Sequence, residues 1–145
     1  MRRLKLNDMN MISRRTFVAG IAALPAQTKA TPAEQHREFI AAAFRMRDEA
    51  VRAGDQAYGA VVVKDARIMG LGPSRVVSKQ DWTAHAEREA IRDAQARFGR
   101  NDLSGCLLYS NSRPCSACEA AAFEARIARM YFGMDATDAG APGKS

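Results

Sequence analysis

Residues 57–72 read Ala57-Tyr58-Gly59-Ala60-Val61-Val62-Val63-Lys64-Asp65-Ala66-Arg67-Ile68-Met69-Gly70-Leu71-Gly72. The β-branched run predicts a strand over 57–63, Asp65-Ala66 a turn, and 67–72 a second strand, so the stretch is a β-hairpin. On its amino side, residues 33–53 place Phe39, Ile40, Ala43, Phe44 and Met46 near helical spacing, with Gly54 just past the end. On its carboxyl side, a loop over 73–82 leads to a stretch rich in helix formers over 83–98, which Thr83 can cap and Gly99 closes. A continuous apolar run over 106–110 suits a buried strand. A helix over 114–125 follows, with Pro114 allowed in its first turn, and then a strand over 127–132. The order of helix, hairpin, helix, strand, helix, strand predicts an α/β fold: a three-layer α-β-α sandwich with a mixed sheet, extended from the hairpin by parallel crossovers. Residues 134–145 are polar and contain Gly and Pro, and read as a tail, so the fold is expected to be short at its C-terminus.

The chain has 145 residues, which suits one domain and excludes a (β/α)8 barrel of roughly 250 residues. Its apolar fraction of 47% and charged fraction of 26% are those of a folded domain. No apolar run reaches the roughly 18 to 20 residues that span a bilayer, so no stable membrane anchor is expected. The net charge of +6 invites a nucleic-acid reading. Its distribution does not support one. Residues 1–30 carry Arg2, Arg3, Lys5, Arg14, Arg15 and Lys29 against Asp8 alone, a net of +5, and the remainder is almost neutral at +1. Phosphate binding wants a basic surface, so nucleic acid is not the expected partner.

The basic segment reads as an address. Ser13-Arg14-Arg15-Thr16-Phe17-Val18 resembles the twin-arginine export motif. An apolar stretch over 17–26 follows, and Thr28-Lys29-Ala30 forms a small-x-small exit, placing cleavage after Ala30. Residues 1–30 are therefore expected to be a twin-arginine signal peptide, and 31–145 the exported domain, periplasmic or extracellular. By that resemblance the export machinery is a partner, and it carries folded proteins, often with a cofactor already inserted.

The chemistry lies in two short motifs. Cys115 and Cys118 are spaced C-x-x-C in Pro114-Cys115-Ser116-Ala117-Cys118, and His85 stands in Thr83-Ala84-His85-Ala86-Glu87. Two thiolates and one imidazole make a three-ligand set for one Zn2+ that leaves a fourth position for water. Both motifs fall at predicted helix N-termini, where free N–H groups and the helix dipole favour thiolate. Glu87, two residues past His85, can approach a water whose pKa the metal brings toward 7, and can act as base and then as acid. This spacing fits hydrolytic deamination of an amidine-like ring carbon.

His85-Ala86-Glu87 with Pro114-Cys115-x-x-Cys118 resembles the signature of the zinc-dependent cytidine/deoxycytidylate deaminase superfamily. The resemblance covers most of residues 58–133. Asp81-Trp82-Thr83-Ala84-His85-Ala86-Glu87, followed by Ala90-Ile91-Arg92, is most similar to the guanine deaminase and tRNA adenosine deaminase branch, and Thr137-Asp138-Ala139 resembles a segment that guanine deaminases carry near the pocket. It implies that His85, Cys115 and Cys118 are zinc ligands, that Glu87 is the proton shuttle, and that backbone N–H groups of Ala86 and Cys115 help hold water and substrate. Homodimers are common in this superfamily, and a missing terminal element would leave a neighbour to complete the pocket.

The departures from the branch fall around the substrate. Ser74 stands where an Asn is usual, Trp82 where Pro is usual, Arg113 where Glu is usual, and Ala57-Tyr58-Gly59 where Pro-Phe-Gly is usual. Tyr58, Ser74, Trp82, Ala86, Arg113 and Asp138 are the candidate substrate-binding residues. Trp82 is either a loop-packing residue or a stacking wall. Arg113 either pairs with Glu87 or Asp81, or meets an anionic or carbonyl group on the substrate. A redox disulfide would need its own strand order and a proline facing the C-x-x-C motif, and neither is evident. A closed zinc site would need a fourth ligand from His36 or Cys106, expected on a solvated helix face and in a strand interior. The expected function is a zinc-dependent hydrolytic deaminase of a nucleobase or nucleoside, a guanine-like purine first, releasing ammonia from a small heterocyclic amine and water. Cytosine, triazine-type amines and tRNA adenosine rank below. The alternative from another class is an inactive zinc-binding member of the fold, motivated by Arg113 and the short C-terminus.

Overall fold

A computed structural model describes residues 29–144. The expected leader lies outside the described residues except for Lys29 and Ala30. Helix α1 spans Pro32–Arg52, strands β1 Gly59–Lys64 and β2 Arg67–Pro73, helix α2 Ala86–Phe98, strand β3 Leu107–Ser110, helix α3 Ser116–Glu124, and strands β4 Arg129–Phe132 and β5 Thr137–Gly140. Among the described residues no helix is long and apolar enough to cross a membrane.

The hairpin forms as its sequence predicts. Asp65 and Ala66 both take positive φ, 49° and 60°, the conformation of a two-residue turn whose twist matches its strands, and Lys64 pairs with Arg67. β1 is buried on both faces, and its alternation assigns side chains to two layers. Val61 and Val63 pack with Phe39, Ile40 and Ala43 of α1 and with Tyr109. Ala60 and Val62 pack with Ala86, Ala90 and Ile91 of α2, with Leu108, and with Ala122 after the start of α3. The three-layer α-β-α sandwich is therefore present, with α1 on one face and α2 and α3 on the other.

The sheet order is β2-β1-β3-β4-β5. β1 is antiparallel to both β2 and β3, and β3 is parallel to β4. β2 and β3 therefore run the same way, so both helical crossovers join parallel strands, and the sheet is mixed. The segments leaving β2 and β3 emerge at one end of the sheet, where β1 begins. In open α/β sheets that edge is where ligands bind.

Three expectations are corrected. Residues 137–140 are not a tail: they form β5, antiparallel to β4, with Phe132 opposite Thr137 and Tyr131 opposite Asp138. Helix α2 begins at Ala86, and Thr83 does not cap it; its N–H and hydroxyl both donate to Asp81, at 2.8 and 2.7 Å. His36 is not on a solvated face: its Nδ1 lies 2.7 Å from the Tyr109 hydroxyl and its ring centroid 4.4 Å from that of Tyr131. Burial pushes the Tyr109 phenol well above its ordinary pKa, so it remains neutral and hydrogen-bonding.

α2 sits unusually close to β2, and glycine makes this possible. A Cβ on Gly72 would collide with the Ala86 carbonyl oxygen and with Ala90, and one on Gly70 with the Ala90 carbonyl and Ala94. Ala86, Ala90 and Ala94 recur every fourth residue and are fully buried, so small side chains meet bare backbone along the whole contact. This packing fixes the start of α2, and with it His85.

Candidate active site

His85 and Cys115 are the N-cap residues of α2 and α3, both in extended conformation, and neither side chain caps its helix. N-caps are usually Ser, Thr, Asp or Asn, because an oxygen there satisfies a free N–H. Here local preference yields to a common point between the two helix ends. His85 Nδ1 is 3.4 Å from Cys118 Sγ and 3.6 Å from Cys115 Sγ, and the three ligand atoms all lie within 4.8 Å of one another. Zn–S near 2.3 Å and Zn–N near 2.0–2.1 Å at tetrahedral angles require an N···S edge of about 3.6 Å. The measured separations match it, and the donor set is the one zinc prefers.

Burial shapes the titration of two of these groups. Burial, the Glu87 carboxylate and the Cys115 thiol push the Cys118 thiol far above its ordinary value. Burial likewise pushes Glu87 up, against the opposing effect of its own backbone N–H, the Cys118 thiol and His85. Glu87 is only 5% exposed, and the Cys118 thiol donates to its Oε2 at 3.5 Å. A divalent metal on the Cys118 sulfur would reverse this local preference and favour the charged forms of both groups.

Above these groups lies a cavity of about 350 Å3, bounded by His85, Glu87 and Cys115 and by Tyr58, Trp82 and Arg113. Gln56, Val76 and Ser112 complete its wall. Trp82 is 85% exposed and Tyr58 46% exposed, so both rings stand at the mouth and Trp82 is not packing its loop. Arg113 pairs with neither Glu87 nor Asp81: its guanidinium lies 5.8 Å from the Phe132 ring centroid. A similar depression between α2 and α3, lined by Arg88, Arg92, Gln95 and Glu124 among others, holds no Cys or His.

Two expected substrate residues are placed elsewhere. Ser74 is buried and donates its hydroxyl to Asp55 at 3.0 Å, away from the cavity wall. Asp138 pairs with Arg129 across β4 and β5, with both carboxylate oxygens 2.8 Å from Arg129 Nε, and does not line the cavity. Ala86 has its side chain in the core; its N–H, at the first helical position, has no acceptor within the helix.

The residues that shape the cavity without drawing notice in the sequence are Asp55, Asn111 and Glu89. Asp55 accepts from Gln56 N–H, Ser74 Oγ, Val77 N–H and Ser78 N–H at 2.9, 3.0, 3.3 and 2.8 Å. Partial burial raises its pKa, but these bonds outweigh it and hold the carboxyl down at about 2. Asn111 accepts from Gly59 N–H at 2.8 Å and donates to the Ala57 carbonyl at 3.2 Å, clamping the Tyr58 segment to the loop that carries Arg113. Glu89 is buried and receives Lys79 at 2.7 Å and Arg92 at 2.8 Å, pinning the Trp82 loop from the other side.

Comparison with known proteins places these observations. Residues 33–134 match the family model described as the cytidine and deoxycytidylate deaminase zinc-binding region. The chain is 38% identical over 109 residues to guanine deaminase of Bacillus subtilis (strain 168), a match covering 74% of this chain and 70% of that protein. It is 41% identical over 83 residues to the tRNA-specific adenosine deaminase of Agrobacterium fabrum (strain C58 / ATCC 33970), covering 57% of this chain and 55% of that one. The X-ray structure of the Bacillus subtilis guanine deaminase superposes with a TM-score of 0.65 at 37% identity, covering 68% of this chain and 63% of that structure's chain.

Proposed function

The chain belongs to the cytidine and deoxycytidylate deaminase zinc-binding family, and on that premise we propose that it hydrolytically deaminates a small heterocyclic amine, a guanine-like purine base or nucleoside before others. The observation that carries this reading is the buried Glu87 carboxylate beside a His85, Cys115, Cys118 donor set at the floor of an open cavity.

One zinc ion, held by His85, Cys115 and Cys118, supplies Lewis acidity that lowers the pKa of a water toward neutrality. Glu87 takes the proton that water gives up as its oxygen bonds to the amine-bearing ring carbon, and passes it to the adjacent ring nitrogen. It then moves the second proton to the amine, the carbon–nitrogen bond breaks, and ammonia leaves with the carbonyl form of the ring as co-product. Burial raises the affinity of Glu87 for a proton, which favours its taking one up. Trp82 and Tyr58 offer π faces to a flat ring, and the free N–H groups at the starts of α2 and α3 offer donors to developing negative charge.

The test is to purify residues 31–145, quantify zinc, and measure ammonia release from a panel of aminopurines, aminopyrimidines and aminotriazines, with Glu87→Ala as control. One zinc per chain with no release from any amine overturns the reading. A compound with the guanine ring as the fastest substrate, whatever its substituent, supports its finer form, in line with the guanine deaminase relative.

Export by the twin-arginine route is part of the same proposal, supported by Ser13-Arg14-Arg15-Thr16-Phe17 and the charge asymmetry of residues 1–30. An Arg14→Lys, Arg15→Lys precursor should remain in the cytoplasm, and unaltered secretion would refute it. A homodimer is proposed with it, to be checked by sedimentation of the mature chain.

A further inference from the structure

Among the described residues Arg113 is the only Lys or Arg side chain lining the cavity. Among the described residues it forms no ion pair with any Asp or Glu. The neighbouring cations are already matched: Lys79 and Arg92 close on Glu89 at 2.7 and 2.8 Å, and Arg75 stands 3.8 Å from the same carboxylate. The one acid in the cavity wall, Glu87, is buried against Cys118 at the floor. The Arg113 side chain is exposed, with its guanidinium 5.8 Å from the Phe132 ring centroid on β4. Its backbone stands two residues before Cys115, on a loop that Asn111 ties to Gly59 and that the Ser110 hydroxyl ties to the Ser112 carbonyl at 2.6 Å.

A planar fork of N–H donors, charged and without an acid partner among the described residues, on the wall of a cavity that an exposed aromatic ring also lines, suits an oxyanion. Ser74, expected at the substrate, is turned away to Asp55, and the other polar side chains of the wall, Gln56, Tyr58 and Ser112, carry no positive charge to set against an anion. We propose that Arg113 is a specificity-determining residue and that the heterocyclic amine taken by this site carries an oxyanion, a carboxylate or a phosphate, which Arg113 binds. This rests on the deaminase reading above and narrows its substrate class: the uncharged base is the poorer substrate.

The chain has one tryptophan, Trp82, and it lines the cavity, so its fluorescence reports occupancy directly. Zinc-loaded wild type, Arg113→Gln and Arg113→Lys are titrated with matched unreactive oxo-heterocycles: the free base, the nucleoside, the nucleoside 5′-monophosphate and a ring carboxylate. Ammonia release is then measured from the corresponding amines. For wild type, an anionic member should bind at least about tenfold more tightly than its neutral counterpart, and the gain should shrink as salt rises. Arg113→Gln should lose the anionic preference through KM, and Arg113→Lys should retain part of it. A gain for the monophosphate alone identifies phosphate as the anion, and a gain for the ring carboxylate alone identifies carboxylate; either supports the proposal. Equal binding and turnover of neutral and anionic members, or a preference that survives in Arg113→Gln, overturns it and leaves the deaminase reading standing. Ammonia release from no member of the panel overturns both.

Discussion

The Cys118 thiol donates to Oε2 of Glu87 at 3.5 Å, and both residues are buried. A candidate metal ligand and a carboxylate on separate helices thus share one desolvated spot. Glu87 is not among the three residues grouped as candidate ligands, so in the proposed reaction it would be the proton carrier. Replacing Glu87 with Gln keeps the shape and removes the proton carrier. Zinc content should stay at one per chain while kcat falls by at least about a hundredfold, the usual contribution of a positioned acid–base group. Metal analysis alongside initial rates checks it; loss of zinc in the variant would instead place Glu87 among the ligands.

Metal removal should affect the fold as well as the rate. His85 opens α2 and Cys115 and Cys118 lie at the start of α3, so an ion held by the three would join the two crossovers at one edge of the sheet. A ligand bound only by the folded state at a hundred times its Kd adds about 2.7 kcal/mol. Dialysis against a strong chelator should lower the melting temperature by several degrees, and stoichiometric zinc should restore it. Cys118→Ser, at a buried ligand position, should melt at the chelated value and not respond to zinc.

The hairpin was legible because a β-branched apolar run and a two-residue turn are local signals, and residues 57–72 carry both. The helices were legible to within a few residues, except at the N-terminus of α2, where a metal-directed histidine occupies the position that propensity assigns to a hydroxyl. β5 was not legible: Thr137-Asp138-Ala139-Gly140 has no apolar run, and pairing with β4 alone makes it a strand. In the site, His85, Glu87, Cys115 and Cys118 could be read because ligand chemistry restricts residue type and spacing. Asp55 and Asn111 could not. Apart from Gln56 beside Asp55, their partners lie 19 to 23 and 52 to 54 residues away, and a polar side chain bonding distant groups leaves no periodic trace.

The contact between α2 and β2 predicts an asymmetry between two glycines. In Gly72→Ala the new methyl meets the Ala86 carbonyl and Ala90, both main-chain or tightly packed, so α2 must move. Overpacking of this kind costs about 3 kcal/mol. Because Ala86 adjoins His85, zinc affinity should fall together with stability. Gly99→Ala has open space around its Cβ and only a φ of +67° to oppose it, so it should cost about 1 kcal/mol and leave zinc affinity unchanged. Denaturant unfolding and competitive zinc titration of both variants separate the two effects.

Asp55 gives the pH dependence. Its carboxyl is held at about 2, below the ordinary 3.8, by the Ser78, Gln56 and Val77 N–H groups and the Ser74 hydroxyl acting against partial burial. A depressed native pKa stabilises the fold above the unfolded value, and the contribution is lost as pH falls toward the native one, so the window runs from about pH 4 down to about pH 2. The shift corresponds to roughly 2 kcal/mol. Other depressed carboxylates, Asp81 and Asp102 among them, weaken in the same range, so the informative quantity is the difference between wild type and Asp55→Asn. Urea unfolding should show wild type more stable by about 2 kcal/mol at pH 6, with the gap closing by about pH 2. At neutral pH the variant should also raise KM more than it lowers kcat, because Asp55 holds the segment bearing Val76 at the cavity wall while Glu87 and the metal ligands stand on other elements. A gap independent of pH would show that Asp55 stabilises the loop through packing and not through its charge.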